Sequence, residues 1–263
     1  MSGFILNRRK FLTGAGLAAS ALALPGCDAV DGMLAGSSPV RRFMASANSL
    51  TYRAQRFLIG ADALAPEYSA SEIRQGQRPN GSTDPRGEDY LALRAADFTS
   101  YRLEIKGMVE KPAGFSVAEL RNMPSRTQIT RHDCVEGWSC IAKWSGVPLS
   151  LLLDEAGVRP EARFVVFHCF DAVSGGLSGD IPYYESLDLV DARHPQTILA
   201  YGLNDAVLGV ANGAPLRVRV ERQLGYKMAK YLKAIELVSD LAPFGNGNGS
   251  FWADAGYDWY AGI

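Results

Sequence analysis

The spacing of apolar side chains predicts a chain built mainly from strands after residue 100. Residues 101–109 alternate apolar and polar side chains, as a half-buried strand does. Residues 125–130 predict a second strand, and residues 163–170 form a nearly continuous apolar run, which indicates a strand buried on both faces. Further strands are predicted at residues 197–201, 216–220 and 233–238.

Two helices are predicted between these strands. Ser116 and Glu119 form a capping box, so a short helix should follow Ser116 and end before Pro124. A second helix is expected from Pro148 to Ala156, with Gly157 at its end. Because strands dominate, we expect a single mixed, β-rich α+β domain without a parallel doubly wound sheet.

The remaining segments predict turns and a docked tail. Asn204-Asp205 and Asn212-Gly213 indicate turns. Residues 245–249 are rich in glycine but lack the strand-to-helix context of a dinucleotide fingerprint, so they predict a loop. The aromatic segment 251–260 is expected to pack on the domain.

The pattern of the amino-terminal residues predicts an export signal. Arg8-Arg9 precede Phe11-Leu12, and this arrangement resembles a twin-arginine signal. The apolar run that follows consists of small residues and is too short to span a membrane. The alternative is a basic, frayed terminus. Leu24 to Cys27 resembles a lipobox with Cys27 as the acylated residue, although ordinary peptidase cleavage is the alternative. Residues 1–27 are therefore predicted to be a signal peptide.

Domain organisation and location follow from this signal. Residues 28–44 are predicted to be a tether and residues 45–263 the folded domain. We expect folded export to the periplasm and a lipid anchor at the inner membrane through Cys27.

Composition excludes several classes of protein. The 263 residues carry a formal net charge of −1, which argues against bulk nucleic-acid binding, and four cysteines are too few for a disulfide scaffold. A zinc finger needs a second Cys/His pair and a c-type haem needs C-x-x-C-H, and the sequence contains neither.

Candidate chemistry is concentrated in residues 131–140, where Cys134 stands beside Arg131 and His132. Positive neighbours stabilise a thiolate, so Cys134 is predicted to be the functional thiol. Cys169 lies inside an apolar strand and is expected to be a small core residue, and Cys140 is not expected to pair with Cys134. A Cys-His hydrolase stays possible on the residues alone, although no nucleophile elbow supports it.

A second cluster lies late in the chain, in residues 212–217 and 223–230. Asn212 supplies a directed hydrogen bond, while Arg217, Lys227 and Lys230 supply positive charge. Such a set suits a phosphate-bearing ligand, and the alternative is a basic surface with hairpin turns.

Several motifs, taken together, resemble those of the sulfite oxidase family of molybdopterin enzymes. They are Cys-Val-Glu-Gly-Trp at 134–138, Trp-Ser-Gly-Val-Pro-Leu at 144–149, the run 197–204 and the two late stretches 212–217 and 223–230. The resemblance covers most of the chain from residue 52. Within the family, the chain is most similar to the bacterial periplasmic members that have a single domain. It implies a molybdenum–molybdopterin cofactor whose metal is ligated by the thiolate of Cys134. The residues it implies for cofactor binding are Tyr52, Arg53, His168, Asn212, Arg217, Lys227, Met228 and Lys230.

The resemblance implies a two-electron oxygen-atom transfer on a small sulfur- or nitrogen-oxide substrate or a sulfoxide. The sequence departs from the family pattern at His132-Asp133 and lacks the sulfite-binding arginines after Cys134, so it does not choose the substrate. Arg131, His132 and Glu136 either tune substrate and proton delivery or position the loop. Tyr52, Arg53 and Arg56 are either ligand contacts or a solvated helix face.

Three functional hypotheses follow. The first is a monomeric oxidoreductase that needs a redox partner, since the chain has no haem motif or flavin fingerprint. That partner is expected to be a membrane haem or quinone protein, or a periplasmic cytochrome. The second is a lipid-anchored pterin-binding or assembly protein without turnover, and the third is a thiol enzyme that uses Cys134 directly.

Overall fold

The structure is a computed structural model that describes residues 50–174 and 179–263. The chain divides into two units, residues 1–54 and 55–263. The predicted signal peptide, Cys27 and the tether at 28–44 lie outside the described residues and stay predictions. Within the described ranges, none of the helices is both long and apolar enough to cross a membrane.

Five strands form the first sheet in the order β2-β1-β10-β5-β6. The pairing of β1 with β10 is parallel and the other pairings are antiparallel, which confirms a mixed sheet. The strands are β1 (Leu103–Gly107), β2 (Ala113–Phe115), β5 (Phe164–Ser174), β6 (Asp180–Asp188) and β10 (Leu232–Val238).

The second sheet is antiparallel and carries the candidate chemistry. Its order is β3-β4-β7-β8, and β9 pairs with β7. The strands are β3 (Arg126–Cys134), β4 (Trp138–Pro148), β7 (Ile198–Leu203), β8 (Ala206–Val207) and β9 (Arg217–Arg219).

The helices are short, and the two predicted from local signals, Val117–Asn122 and Leu149–Ala156, begin and end where those signals place them. Ser116 Oγ accepts from the Glu119 amide at 3.2 Å while Glu119 accepts from the Ser116 amide at 2.7 Å, and Gly157 ends the next helix at φ +67°. Both features confirm the predicted caps. The helices are α1 (residues 50–59), α2 (Glu88–Ala95), α3 (Val117–Asn122), α4 (Leu149–Ala156), α5 (Leu189–Ala192) and α6 (Phe251–Asp254).

The main core joins apolar side chains of both sheets and of α4. Leu103 of β1, Val147 of β4, Leu152 of α4, Phe167 of β5 and Val218 of β9 all belong to it. A smaller cluster covers the other face of the first sheet, where the carboxyl-terminal segment packs on β5 and β6. This second layer explains why β5 is apolar on both faces, as predicted, and it confirms that the aromatic tail docks.

Two features differ from the sequence-based expectations. β3 continues past Thr130 to Cys134, so the cysteine ends a strand and does not follow it in a polar loop. Arg56 does not lie on a solvated helix face, because its guanidinium pairs with Asp188 at 2.7 Å and Asp191 at 2.8 Å. The extension of β3 arises from its pairing with β4 in a hairpin. The ion pairs of Arg56 join residues more than 130 positions apart, which local patterns do not show.

Candidate active site

The β3–β4 hairpin holds Cys134 at the end of its strand. Cys134 faces Trp138 across the hairpin, and the backbone N–H of Gly137 donates to the carbonyl of Cys134 at 3.0 Å. Gly137 has a φ of +84°, a conformation that favours glycine. The turn therefore sets the position of the thiol through backbone geometry.

The polar side chains of this hairpin mainly contact one another. Arg131 pairs with Asp133 at 2.9 Å, and Glu136 accepts a hydrogen bond from Trp138 Nε1 at 2.8 Å. The guanidinium of Arg78 stacks 4.9 Å from the centroid of Trp138 and reaches Glu136 at 3.5 Å. Of the two roles left open for Arg131 and Glu136, these contacts support positioning of the hairpin.

His132 lies inside the domain and is neutral. Its Nδ1 accepts from Arg219 Nη1 at 2.9 Å, and burial together with the charge of Arg219 lowers the pKa of His132 to about 2. Burial also raises the pKa of the Cys134 thiol. The expectation that positive neighbours stabilise a Cys134 thiolate is therefore wrong, because His132 carries no charge and Arg131 is paired with Asp133. Coordination to a metal would itself deprotonate the thiol.

A cavity of about 160 Å³ opens beside Cys134. Four residues of the late cluster, Gly225, Tyr226, Met228 and Lys230, line it together with Cys134. Met228 and Lys230 are two of the residues predicted to bind the cofactor. The remaining wall is mostly apolar and aromatic, and its lining includes Val135, Val173, Tyr183, Tyr226, Trp252 and Tyr257.

The far end of this cavity is polar and positively charged. Lys230 Nζ donates to the carbonyl oxygens of Ser82 and Ala211, and burial together with the charge of Arg217 lowers the pKa of Lys230 to about 7. Asp171 is 7% exposed; its Oδ2 accepts from Ser82 Oγ at 2.6 Å, whereas its Oδ1 has no hydrogen-bond partner among the described residues. An unpartnered buried polar atom in a cavity indicates a place for a polar ligand.

Arg217 connects two of the predicted cofactor-binding residues. Its guanidinium donates to the carbonyls of Asn212 at 3.0 Å and Met228 at 3.4 Å, and its Nε has no hydrogen-bond partner in the part of the chain that the structure describes. Among residues 50–174 and 179–263, no carboxylate forms an ion pair with Arg217 or Lys230. Burial and the charge of Arg219 lower the pKa of Arg217 to about 9. Buried positive charge without an anion favours binding of an anionic group.

The other predicted residues lie elsewhere. Lys227 is buried, forms an ion pair with Glu185 and stacks 5.2 Å from the ring of Trp259. His168 pairs with Glu236 at 2.8 Å and faces a different cavity. Tyr52 is half-buried and Arg53 is exposed in the first unit, so their contact with a cofactor stays a prediction.

Sequence reasoning missed Asp171 and the network around Arg219. Arg219 Nε and Nη2 donate to the two carboxylate oxygens of Glu221 at 2.9 and 2.6 Å, and its guanidinium lies 4.4 Å from the centroid of Trp144. The alternation in β9 placed basic residues on one face, which was the available signal, but it did not show that this face is buried. No local signal marks Asp171.

Comparison with known proteins identifies the family. Residues 90–243 match the oxidoreductase molybdopterin-binding domain. A protein of Azospira oryzae that bears the name of a protein-methionine-sulfoxide reductase subunit, YedZ1, is 37% identical over 208 residues, which cover 79% of this chain and 71% of that protein. The catalytic subunit MsrP of the protein-methionine-sulfoxide reductase of Campylobacter jejuni is 30% identical over 210 residues and 70% of each chain.

Among solved structures, the sulfane dehydrogenase SoxCD of Paracoccus pantotrophus matches with a TM-score of 0.46 and 25% identity, over 53% of this chain and 38% of that one.

This chain belongs to the sulfite oxidase family of molybdopterin-dependent oxidoreductases. It is an enzyme, which confirms the oxidoreductase class of the first functional hypothesis, and its cofactor is the family's molybdenum–molybdopterin. The monomeric state and the redox partner of that hypothesis stay predictions. When bound, that cofactor supplies two-electron oxygen-atom transfer chemistry.

The residues present fit this cofactor. Cys134 offers a soft thiolate for the metal, while Lys230 and Arg217 offer buried positive charge for the phosphate of the pterin. Asp171 Oδ1 offers an acceptor at the polar end of the same cavity. Within the described ranges, no group of three or more His, Cys, Asp or Glu side chains is arranged to hold a metal ion.

Proposed function

We propose that this enzyme reduces the sulfoxide of oxidised methionine in proteins. The reaction breaks the S–O bond, consumes two electrons and two protons, and releases a thioether and water. The observation that carries the proposal is the apolar, aromatic wall beside Cys134. A sulfoxide is neutral and carries a methyl group, whereas sulfite is an anion that needs free positive charge at the reacting position.

The positive groups around the cavity are not free for an anionic substrate. Arg78 is stacked on Trp138 and paired with Glu136. Lys230 lies at the polar end, where its charge would be taken by the phosphate of the cofactor. Trp252 and Tyr257 stand at the wall of the same cavity as Cys134, and their ring centroids are 5.1 Å apart. Aromatic rings make favourable contacts with sulfur and exclude water, so these side chains would hold the methylthio end of the substrate.

The names of two relatives support the same substrate. The Campylobacter jejuni protein is named as the catalytic subunit of a protein-methionine-sulfoxide reductase, and the Azospira oryzae protein carries a related name.

A substrate panel tests this proposal. The holoenzyme should be assayed with a reduced viologen dye against methionine sulfoxide, dimethyl sulfoxide and an N-oxide, and with an oxidising dye against sulfite. We expect turnover of the sulfoxides and of methionine sulfoxide above all. Oxidation of sulfite without reduction of any sulfoxide would contradict the proposal.

We further propose that the enzyme is exported folded to the periplasm and anchored at the inner membrane through Cys27. The support is the paired Arg8-Arg9 and the lipobox before Cys27. The part of the tether from residue 28 to residue 40 has about a dozen residues and spans roughly 20 Å, which would keep the domain near a membrane haem or quinone protein that supplies electrons. A soluble periplasmic cytochrome is the alternative donor.

Cys27→Ser, with the twin-arginine motif intact, should release the enzyme from membranes and slow quinone-linked turnover while dye-linked turnover persists. Unchanged quinone-linked turnover in cells after release would show that the anchor only limits diffusion. Replacement of Arg8 and Arg9 by lysine is the control for export. Sedimentation of the released enzyme tests the expected monomer.

A further inference from the structure

A second, larger cavity of about 710 Å³ lies beside the Cys134 cavity. The two are separated by Tyr183, which lines both, and by α6. Phe251 and Asp254 of α6 line the large cavity, whereas Trp252 of the same helix lines the small one. Sequential residues of one short helix therefore form a wall that the two cavities share.

The shared wall consists of aromatic rings that contact one another in tilted and edge-to-face pairs. The centroids of Tyr183 and Phe251 are 5.5 Å apart, and those of Phe251 and Trp252 are 5.3 Å apart. Trp252 in turn contacts Tyr257. A ligand that extends past this wall from the Cys134 cavity would enter the larger cavity.

The floor of the large cavity is the outer face of the first sheet. Glu104, Ala234, His168 and Tyr184 stand in one row across β1, β10, β5 and β6, because each is in register with the next. Opposite this row lies the segment from Pro243 to Asn246. The cavity is therefore a trough between a sheet face and a loop.

The walls of the trough are held before any ligand arrives. Tyr184 Oη donates to Asp254 Oδ2 at 2.7 Å and to the carbonyl of Phe244 at 3.1 Å. Asp254 also accepts from the backbone amides of Asn246 at 2.9 Å and Asn248 at 3.2 Å. A preformed trough binds with a smaller entropic cost than a loop that must order.

Most of the charged groups of the trough are engaged with one another. His168 pairs with Glu236 at 2.8 Å and Lys233 lies 3.5 Å from Asp89, while Asp254 receives the hydrogen bonds just described. The surface left for a ligand is mainly apolar and aromatic, and it includes Ile181, Pro182, Phe244 and Phe251. Such a surface does not select an anion or a cation, but it accepts the varied side chains of a polypeptide.

We propose that this trough binds the polypeptide that flanks the oxidised methionine of a protein substrate. The inference rests on the proposed sulfoxide reductase function and deepens it, because it assigns the surface that holds the chain on either side of the oxidised methionine. The volume is within the range of sites that hold ligands larger than one side chain. A small sulfoxide needs only the Cys134 cavity, whereas a peptide also gains contacts beyond the shared wall.

The lining of the trough comes from two parts of the chain. Its floor on β1, β10, β5 and β6 lies within residues 90–243, which match the family domain. Phe244, Gly245, Asn246 and α6 follow that match. The carboxyl-terminal segment therefore supplies the loop and the helix that complete the trough.

The test compares one small sulfoxide with one peptide in the holoenzyme. Dimethyl sulfoxide and an unstructured heptapeptide with a central methionine sulfoxide are reduced with the same viologen dye. Ile181→Asp places a carboxylate in the trough, and Val207→Asp is the matched control, because both residues are exposed apolar positions on strands and Val207 does not line the trough. We expect Ile181→Asp to lower kcat/KM for the peptide by about tenfold and leave dimethyl sulfoxide unchanged.

A cross-linking measurement in wild type and in one variant tests the trough independently of turnover. A peptide with a benzophenone side chain two residues from the sulfoxide should cross-link to the segment 243–246 in wild type and less in Phe244→Ala. If wild type reduces no sulfoxide, the proposed function itself is wrong. If wild type reduces both substrates but Ile181→Asp changes both equally or neither, the function stands and the trough is not the peptide site.

Discussion

Arg219 donates a hydrogen bond from Nη1 to Nδ1 of His132 at 2.9 Å, and both side chains are buried. Because a guanidinium has no acceptor, Nδ1 of His132 must accept and the ring proton must sit on Nε2. Glu221 accepts two hydrogen bonds from the same guanidinium. The three side chains tie β9 to β3 two residues before Cys134.

Arg219→Lys should destabilise the protein by about 3 kcal/mol or more, because an ammonium cannot reproduce the fork between Glu221 and His132 and leaves buried partners unsatisfied. Chemical denaturation measures the loss. The control is Arg159→Lys, whose exposed pair with Glu110 at 3.3 Å should contribute about 0–1 kcal/mol. Equal effects of the two substitutions would show that the buried network adds no stability.

Cys134→Ser should leave a folded protein that retains pterin but has little activity. A hydroxyl does not replace a soft, strongly donating thiolate as a metal ligand. Pterin content, molybdenum content and dye-linked turnover are measured on the same sample. Cys140→Ala is the control, since Cys140 is buried opposite His132 and is predicted to be structural. Wild-type turnover in Cys134→Ser would exclude Cys134 as the ligand.

Arg217→Met should weaken cofactor retention more than it weakens the fold. A lost charge-assisted contact to phosphate costs about 1.5–3 kcal/mol, while removal of an unpaired buried charge offsets part of the lost hydrogen bonding in the cofactor-free protein. The difference in melting temperature between cofactor-loaded and cofactor-free protein should therefore shrink. Arg163→Met is the control, because Arg163 also donates to carbonyls but lies at the surface. Full pterin content with a collapsed melting temperature in both forms would contradict the prediction.

Gly225→Ala should destabilise the segment that lines the Cys134 cavity. A Cβ at Gly225 would lie 2.4 Å from the His132 ring, which Arg219 holds in place, so the expected cost is about 1–3 kcal/mol and a loss of bound cofactor. Gly209→Ala is the control, since the nearest atom to its Cβ is 3.9 Å away. Both variants are compared by thermal melting and pterin content, and a harmless Gly225→Ala would show that the His132 ring moves.

Stability should fall as the pH drops below ~6.5 because of His194. Its Nδ1 accepts from the Gln196 amide at 3.2 Å and its Nε2 faces the carbonyl of Ala63 at 3.1 Å, so the neutral ring fits the site. Burial and the charge of Arg222 lower the pKa of His194 in the folded state. The unfolded chain therefore binds a proton first as pH falls, and stability present above pH ~6.5 is lost toward the folded pKa.

Urea denaturation at pH 7.5 and pH 5.5 measures this dependence, and one such group contributes at most about 1.4 kcal/mol per pH unit. In His194→Gln the fall in stability between the two pH values should be smaller than in wild type. An identical fall in both proteins would assign the pH dependence to other groups.

Features that depend on neighbouring residues were predictable. Alternation located β1, β9 and β10, the apolar run located β5, and the capping box at Ser116 together with Gly157 located the ends of two helices. β4 and β6 were not predicted as strands. β6 is buried continuously from Tyr184 to Asp188, and Glu185, Ser186 and Asp188 are polar, so no alternation of apolar and polar residues marks it. β4 lies between β3 and β7, and β7 is distant in the chain.

The cofactor class was also readable from the chain, because several motifs occur in the expected order. The roles of individual residues in cofactor binding were harder to predict from the chain. His168 and Lys227 lie in suitable segments, but pairing with Glu236 and Glu185 engages them elsewhere. Asp171 carried no local signal, and only the fold brings its free carboxylate oxygen into the cavity that Cys134 lines.

The sequence by itself determined the family and the mixed β-rich class, because these are encoded in periodicity and in ordered motifs. It also predicts Cys134 as the functional thiol. Only the tertiary structure decided which charges are buried and what they face. Arg217 and Arg219 alternate with apolar residues, a pattern that left a basic surface open as the alternative to ligand binding. Both lie inside the domain, where burial lowers the pKa of Arg217 and where Arg219 helps to keep His132 neutral. The physical reason is that a side chain's electrostatic environment is set by groups from several strands and loops, whose packing no single stretch of sequence records.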